Sequence, residues 1–129
     1  MAGNAYLLDT VIVAGYFNRD QAIHGRLLEA TVYISSITVG ELYYGAYNSG
    51  KVTSNLQNIR RFVELVTVLV CDAATADHYG QVKRALRVLG KPIPENDIWI
   101  AATALQHSLT LVTRDDHFNT VAGLLLERW

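Results

Sequence analysis

"AYLLDTVIVAGYFN", residues 5–18, is the stretch on which the fold turns. A short apolar run, "AYLL", has the length and character of a buried strand and stops at Asp9. "TVIVAGYFN" then reads as a short helix despite its β-branched residues, because the polar "NRDQ" closes it. Strand, carboxylate and helix therefore follow one another with no linker.

The same alternation continues outward. "DQAIHGRLLEA" sets Ile23, Leu27 and Leu28 at helical spacing, and "TVYISS" is a second strand whose Ser35 or Ser36 can cap the next helix. That helix, "ITVGELYYGAYNSG", ends at Asn48, Ser49 and Gly50. "TSNLQNIRRFVELV" repeats the cap-then-helix pattern, with Leu56, Ile59, Phe62, Val63 and Val66 on one stripe. "TVLVC" is a third strand, and Asp72 caps a long helix that stops at Gly90. "KPIPEN" reads as a linker holding both prolines, "DIWIAATALQHS" as an apolar helix, "LTLVT" as a fourth strand and "LLLERW" as a fifth. The pattern predicts an α/β domain with a mainly parallel sheet of four to five strands and helices on both faces. No repeat or composition break divides it, so residues 1–129 are expected to form one domain.

Composition excludes several classes. Half the residues are apolar and 18% are charged, which rules out disorder as a description of the whole. No apolar run reaches the roughly 18–20 residues of a membrane span. "MAGNAYLLDT" has no basic lead and meets an aspartate early, so no secretory leader is expected. The single cysteine, Cys71, cannot form an internal disulfide; a cytoplasmic setting and a small core residue are expected. A net charge of −1 is neutral on nucleic acid, although Lys83, Arg87 and Lys91 share one helix face that could meet phosphates.

Right-handed crossovers place the carboxyl ends of parallel strands along one edge, where such sheets hold ligands. Asp9 and Asp115 lie just past strand ends, and helix starts bring Glu41 and Asp97 towards the same edge. Each acid also has a local reading: Asp9 as a cap, Thr38 and Glu41 as a capping box, Asp97 as a charge at a helix start, Asp115 and Asp116 as turn residues. Four converging carboxylates without nearby lysine or arginine would repel one another unless a hard divalent cation, Mg2+ or Mn2+, sat among them. Such a centre suits phosphodiester hydrolysis.

"YLLDT", "SSITVGELYYGA", "PENDIWIAATAL" and "LVTRDDHF", in this order and spacing, resemble the PIN-domain nucleases, and within them the VapC-type toxins of toxin–antitoxin pairs. The resemblance covers nearly the whole chain. It implies a Rossmann-like sheet with an acidic pocket that binds Mg2+ or Mn2+ and cleaves RNA, a small antitoxin partner, and a homodimer within a larger complex. It assigns Asp9, Glu41, Asp97 and Asp115 as the acids, with Thr113 as the hydroxyl beside the last; Asp116 has no firm counterpart. Phe118 is expected in the core and His117 as a local hydrogen-bonding residue. The match departs at Val11, where the family commonly has asparagine. The loss removes a hydrogen bond of a kind that commonly changes metal affinity about 10- to 100-fold. Val11 is thus the main support for a competing reading, a non-catalytic RNA-binding or protein-interaction module.

Overall fold

The computed structural model describes residues 5–129; the expectation about a leader falls in part on residues outside that range. Five strands form one sheet in the order β3-β2-β1-β4-β5. They are β1 (Ala5–Leu8), β2 (Thr31–Ser35), β3 (Thr67–Leu69), β4 (Thr110–Val112) and β5 (Leu126–Glu127), and every neighbouring pair is parallel. The helices are α1 (Thr10–Phe17), α2 (Gln21–Leu27), α3 (Ser36–Tyr47), α4 (Val52–Leu65), α5 (Ala73–Leu89) and α6 (Glu95–Gln106), and a 3-10 turn spans Asp116–Thr120. From β1 the chain moves to β2 and then β3 on one side, and returns to β4 on the other. The strand order reverses between β1 and β4, and that crevice is where open parallel sheets take ligands.

Alternation along the central strands divides the core. Leu7 and Leu111 join Val82, Leu86, Ile98 and Ala101 on the side of α5 and α6. Leu8 and Val112 join Ile12, Val13, Leu42, Ile59 and Phe62 on the side of α1 to α4. Helices thus cover both faces, as the apolar strands require.

Local chemistry sets the helix ends. Asp20 accepts from the Ile23 N–H at the start of α2, and Ser35, rather than Ser36, accepts from Ile37 N–H at the start of α3. Asp72 and Thr75 form a reciprocal capping pair on α5, which stops at Gly90 in the left-handed conformation (φ 69°). Two boundaries differ from expectation. α4 begins at Val52 behind Lys51 with no side-chain cap, since nothing in "SGK" offers an oxygen to the first N–H groups. α6 begins at Glu95, so Glu95 and Asn96 belong to the helix and the linker ends at Pro94.

Arg114 closes the far side of the sheet. Its Nη1 donates to Asp20 Oδ2 at 2.8 Å and its Nε to the Trp129 carbonyl at 2.5 Å. That pair pulls the Asp20 carboxyl below its ordinary value. Glu127 also pairs with Arg26, which lies over the Trp129 ring. Cys71 is half-buried beside Ser36, not in the core as expected.

Phe118, fully buried, anchors the 3-10 turn that follows β4. Phe118→Ala should destabilise the fold by roughly 3–5 kcal/mol through lost burial and a residual cavity. Urea denaturation measures this; a loss below about 1 kcal/mol would show that the turn does not depend on it.

Candidate active site

The pocket is built from the ends of β1 and β4 outward. Leu8 pairs with Val112, so the next residues, Asp9 and Thr113, stand side by side at the crevice. Asp9 is only 5% exposed. Its Oδ1 accepts from the Thr10 N–H at 2.8 Å, capping α1, and its Oδ2 accepts from the Thr113 hydroxyl at 2.8 Å. Thr113 Oγ1 in turn accepts from the Asp115 N–H at 3.0 Å, so one hydroxyl places two acids. Burial raises the Asp9 carboxyl pKa; the bonds from Thr113 and Thr10 oppose this, and Glu41 and Asp115 add to it.

Glu41 reaches the crevice from α3. Thr10 Oγ1 donates to Glu41 Oε1 at 2.6 Å, and Asn96 Nδ2 faces Oε2 at 3.4 Å. The capping box expected between Thr38 and Glu41 does not form: Ser35 caps α3, and buried Thr38 meets Thr10 at 3.1 Å instead. Glu41 therefore answers to α1 and α6 rather than to its own helix start.

Asp97 lies in the first turn of α6, with its side chain 17% exposed. α6 has no side-chain cap, so capping does not account for Asp97. Its pKa is raised from 3.8 to about 6, first by burial and then by Asp9 and Asp115, with a smaller push from Glu41 and an opposing bond to His117. Asp115 caps the 3-10 turn, accepting from the His117 N–H at 2.9 Å. The His117 ring crosses between two acids: Nδ1 is 3.1 Å from Asp115 Oδ2 and 3.5 Å from Asp97 Oδ2. Ligand atoms of Asp97, Asp115 and His117 all lie within 4.8 Å of one another. Asp9 and Glu41 adjoin this set and act on Asp97 through charge. Asp116 points to solvent, 3.9 Å from Arg128.

No lysine or arginine among the described residues forms an ion pair with Asp9, Glu41, Asp97 or Asp115. Clustered carboxylate oxygens without a lysine or arginine partner fit a hard divalent cation. His117 is the member that neither spacing nor family resemblance places among the acids. Its "HF" position was visible, but its approach to Asp97, twenty residues earlier in the chain, is a product of the fold. The basic face on α5 is weaker than its spacing suggested, since Lys83 is engaged by Glu95 at 2.5 Å and Tyr79 at 3.1 Å.

A PIN-domain family model matches residues 6–124. The chain belongs to the PIN-domain family, in its VapC branch. It is 39% identical over 128 residues to "Ribonuclease VapC2" of Haemophilus influenzae, covering 96% of this chain and 97% of that protein. It is 36% identical, with the same coverage, to "tRNA(fMet)-specific endonuclease VapC" of Shigella flexneri. The fold superposes with a TM-score of 0.92 on the solved structure of DNA-bound VapBC from Salmonella typhimurium, at 32% identity over 97% of this chain and 98% of that one. The Rossmann-like PIN fold expected from the sequence is the fold found.

The raised Asp97 pKa makes a stability prediction for this PIN domain. Between about 3.8 and about 6 the folded chain keeps a proton that the unfolded chain has lost, so this group's contribution to stability falls as pH rises through that window. Repulsion between charges about 5 Å apart is on the order of 1–3 kcal/mol, above the roughly 0.3–1 kcal/mol a carboxylate gains at a helix start. In EDTA at pH 7, Asp97→Asn should therefore melt a few degrees above the unsubstituted protein, and the gap should close towards pH 4. A variant less stable than the parent at pH 7 would refute the crowding of acids described here.

Proposed function

We propose that this chain is an endoribonuclease that hydrolyses RNA phosphodiester bonds as the toxin of a toxin–antitoxin pair. The observation that carries the reading is a carboxylate pocket, unpaired by lysine or arginine among the described residues, at the switch point of a PIN-domain sheet. Asp97 and Asp115, with Asp9 and Glu41 beside them, would hold a Mg2+ or Mn2+ ion. Such an ion, when bound, lowers the pKa of a water and offsets charge on the leaving oxygen.

The chain's own residues supply position and field. Thr113 fixes one oxygen of Asp9 and the backbone of Asp115. Thr10 and Asn96 hold Glu41 at the rim without help from position 11. The summed negative charge favours a cation and disfavours RNA phosphate in its absence.

A small antitoxin that covers the pocket is the expected partner, in keeping with relatives solved as VapBC complexes. Self-association is part of the same reading, and exposed Tyr44 and Tyr47 on α3 offer an apolar surface for it. Among the described residues no helix is long and apolar enough to cross a membrane, and cytoplasmic action on RNA belongs to the proposal.

Purified protein should cut RNA with Mn2+ or Mg2+ and stop in EDTA, and Asp9→Asn should be inactive. Thr113→Val, which removes only the hydroxyl that holds Asp9, should lower activity about 10- to 100-fold. Cleavage that persists in EDTA while Asp9→Asn is inactive would exclude the metal. RNA that is bound tightly but never cut, with either ion, would favour the non-catalytic module.

A further inference from the structure

His117 lies outside the acids that the family resemblance assigns, yet its ring points at them. Two features hold it there. Its backbone N–H donates to Asp115 Oδ1, and the next residue, Phe118, is sunk in the core. The ring is thus carried on a pinned turn, although half of its side chain meets solvent (53% exposed).

The distances from its Nδ1 to the two carboxylate oxygens are close to those between adjacent ligands of an octahedral ion. With bonds of about 2.1 Å, adjacent ligand atoms lie roughly 3 Å apart and opposite ones about 4 Å. Nδ1 stands 3.1 Å from Asp115 Oδ2 and 3.5 Å from Asp97 Oδ2, and all three groups fall within 4.8 Å. Without a cation Nδ1 faces the two carboxylates as an N–H donor; as a ligand the ring would carry its proton on Nε2 and present the Nδ1 lone pair to the ion. Imidazole nitrogen suits first-row transition metals, whereas Mg2+ keeps to oxygen ligands.

We propose that His117 supplies a nitrogen ligand to the ion held by Asp97 and Asp115, and so biases the site towards Mn2+ over Mg2+. The inference rests on the metal-dependent reading above and adds a ligand to it. His117 is a specificity-determining residue in this scheme, and the acids remain the principal anionic donors.

The test uses the full chain, stripped with EDTA and titrated with Mn2+ alone. Electron spin echo of the bound ion reports a directly ligated nitrogen through 14N modulation, independently of activity. The unsubstituted protein should show that modulation, and His117→Ala and His117→Gln should both lack it. In both variants the Mn2+ dissociation constant should rise about tenfold, and the Mg2+ constant, read by competition, less than about threefold. His117→Gln keeps a polar side chain of similar reach, so a folded sample is secured if the alanine variant unfolds. Mn2+ bound without 14N modulation overturns the ligand assignment and leaves the metal reading standing. Absence of Mn2+ binding in every variant overturns both. Equal losses of Mn2+ and Mg2+ affinity also overturn the assignment, because they mark His117 as a positioning residue only.

Discussion

A carboxylate buried at the end of the central strand is the constraint around which this molecule is arranged. Asp9 sits where an apolar residue would suit the sheet, and burial raises its pKa accordingly. Two donors offset that cost, the Thr10 N–H at the start of α1 and the Thr113 hydroxyl at the end of β4. The Thr10 N–H is local, but the Thr113 hydroxyl is within reach only when β4 lies beside β1 with Leu8 opposite Val112. The same contacts that make the buried acid tolerable therefore define the crevice. Breaking a buried hydrogen-bonded acid from its donors is expensive, whereas an apolar replacement is often harmless to stability. The retained charge points to function rather than to folding.

Core packing guards that arrangement. Leu7 and Leu111 face α5 and α6, while Leu8 and Val112 face the other four helices. A slip of one residue between β1 and β4 would send the slipped strand's two side chains, Leu111 and Val112 if β4 moves, to the wrong layers. It would also part Asp9 from Thr113 and displace Asp115, whose N–H reaches the same hydroxyl. Site geometry and apolar alternation thus share one register. Phe118 extends the control past the strand, since its burial sets the turn that carries Asp115 and His117.

The strands and most helices were legible because their signals are local. Short apolar runs mark β1 to β5, and caps such as Asp20, Ser35 and Asp72 act within three residues of themselves. What escaped was pairing between distant elements. Lys83 reads as one of a solvated basic face, but α5 lies along α6 and gives it to Glu95 and Tyr79. Glu41 reads as half of a capping box, but α1 offers Thr10 at 2.6 Å, and that bond forms instead. His117 reads as a turn residue, and only the approach of α6 sets it against Asp97. That the four acids lie near one another follows from strand ends and helix starts sharing one edge; their separate electrostatic burdens do not, because burial is a property of the packed state.

Val11 bears on whether the pocket is a relic. The residue is 48% exposed, and Glu41 takes its hydrogen bonds from Thr10 and Asn96. Asp97 is raised to about 6 by burial and by the charges of Asp9, Asp115 and Glu41. A module that only bound RNA would gain nothing from that field, because phosphate recognition draws on positive charge and an anionic crevice repels the backbone. A protein-interaction surface would not need it either, since a lone apolar or polar face serves without crowding acids into burial. Only a cation turns this repulsion into attraction, for the ion first and then for phosphate oxygens. The crowding of acids at the β1–β4 crevice therefore favours a pocket that takes a cation, which is the premise of the proposed cleavage.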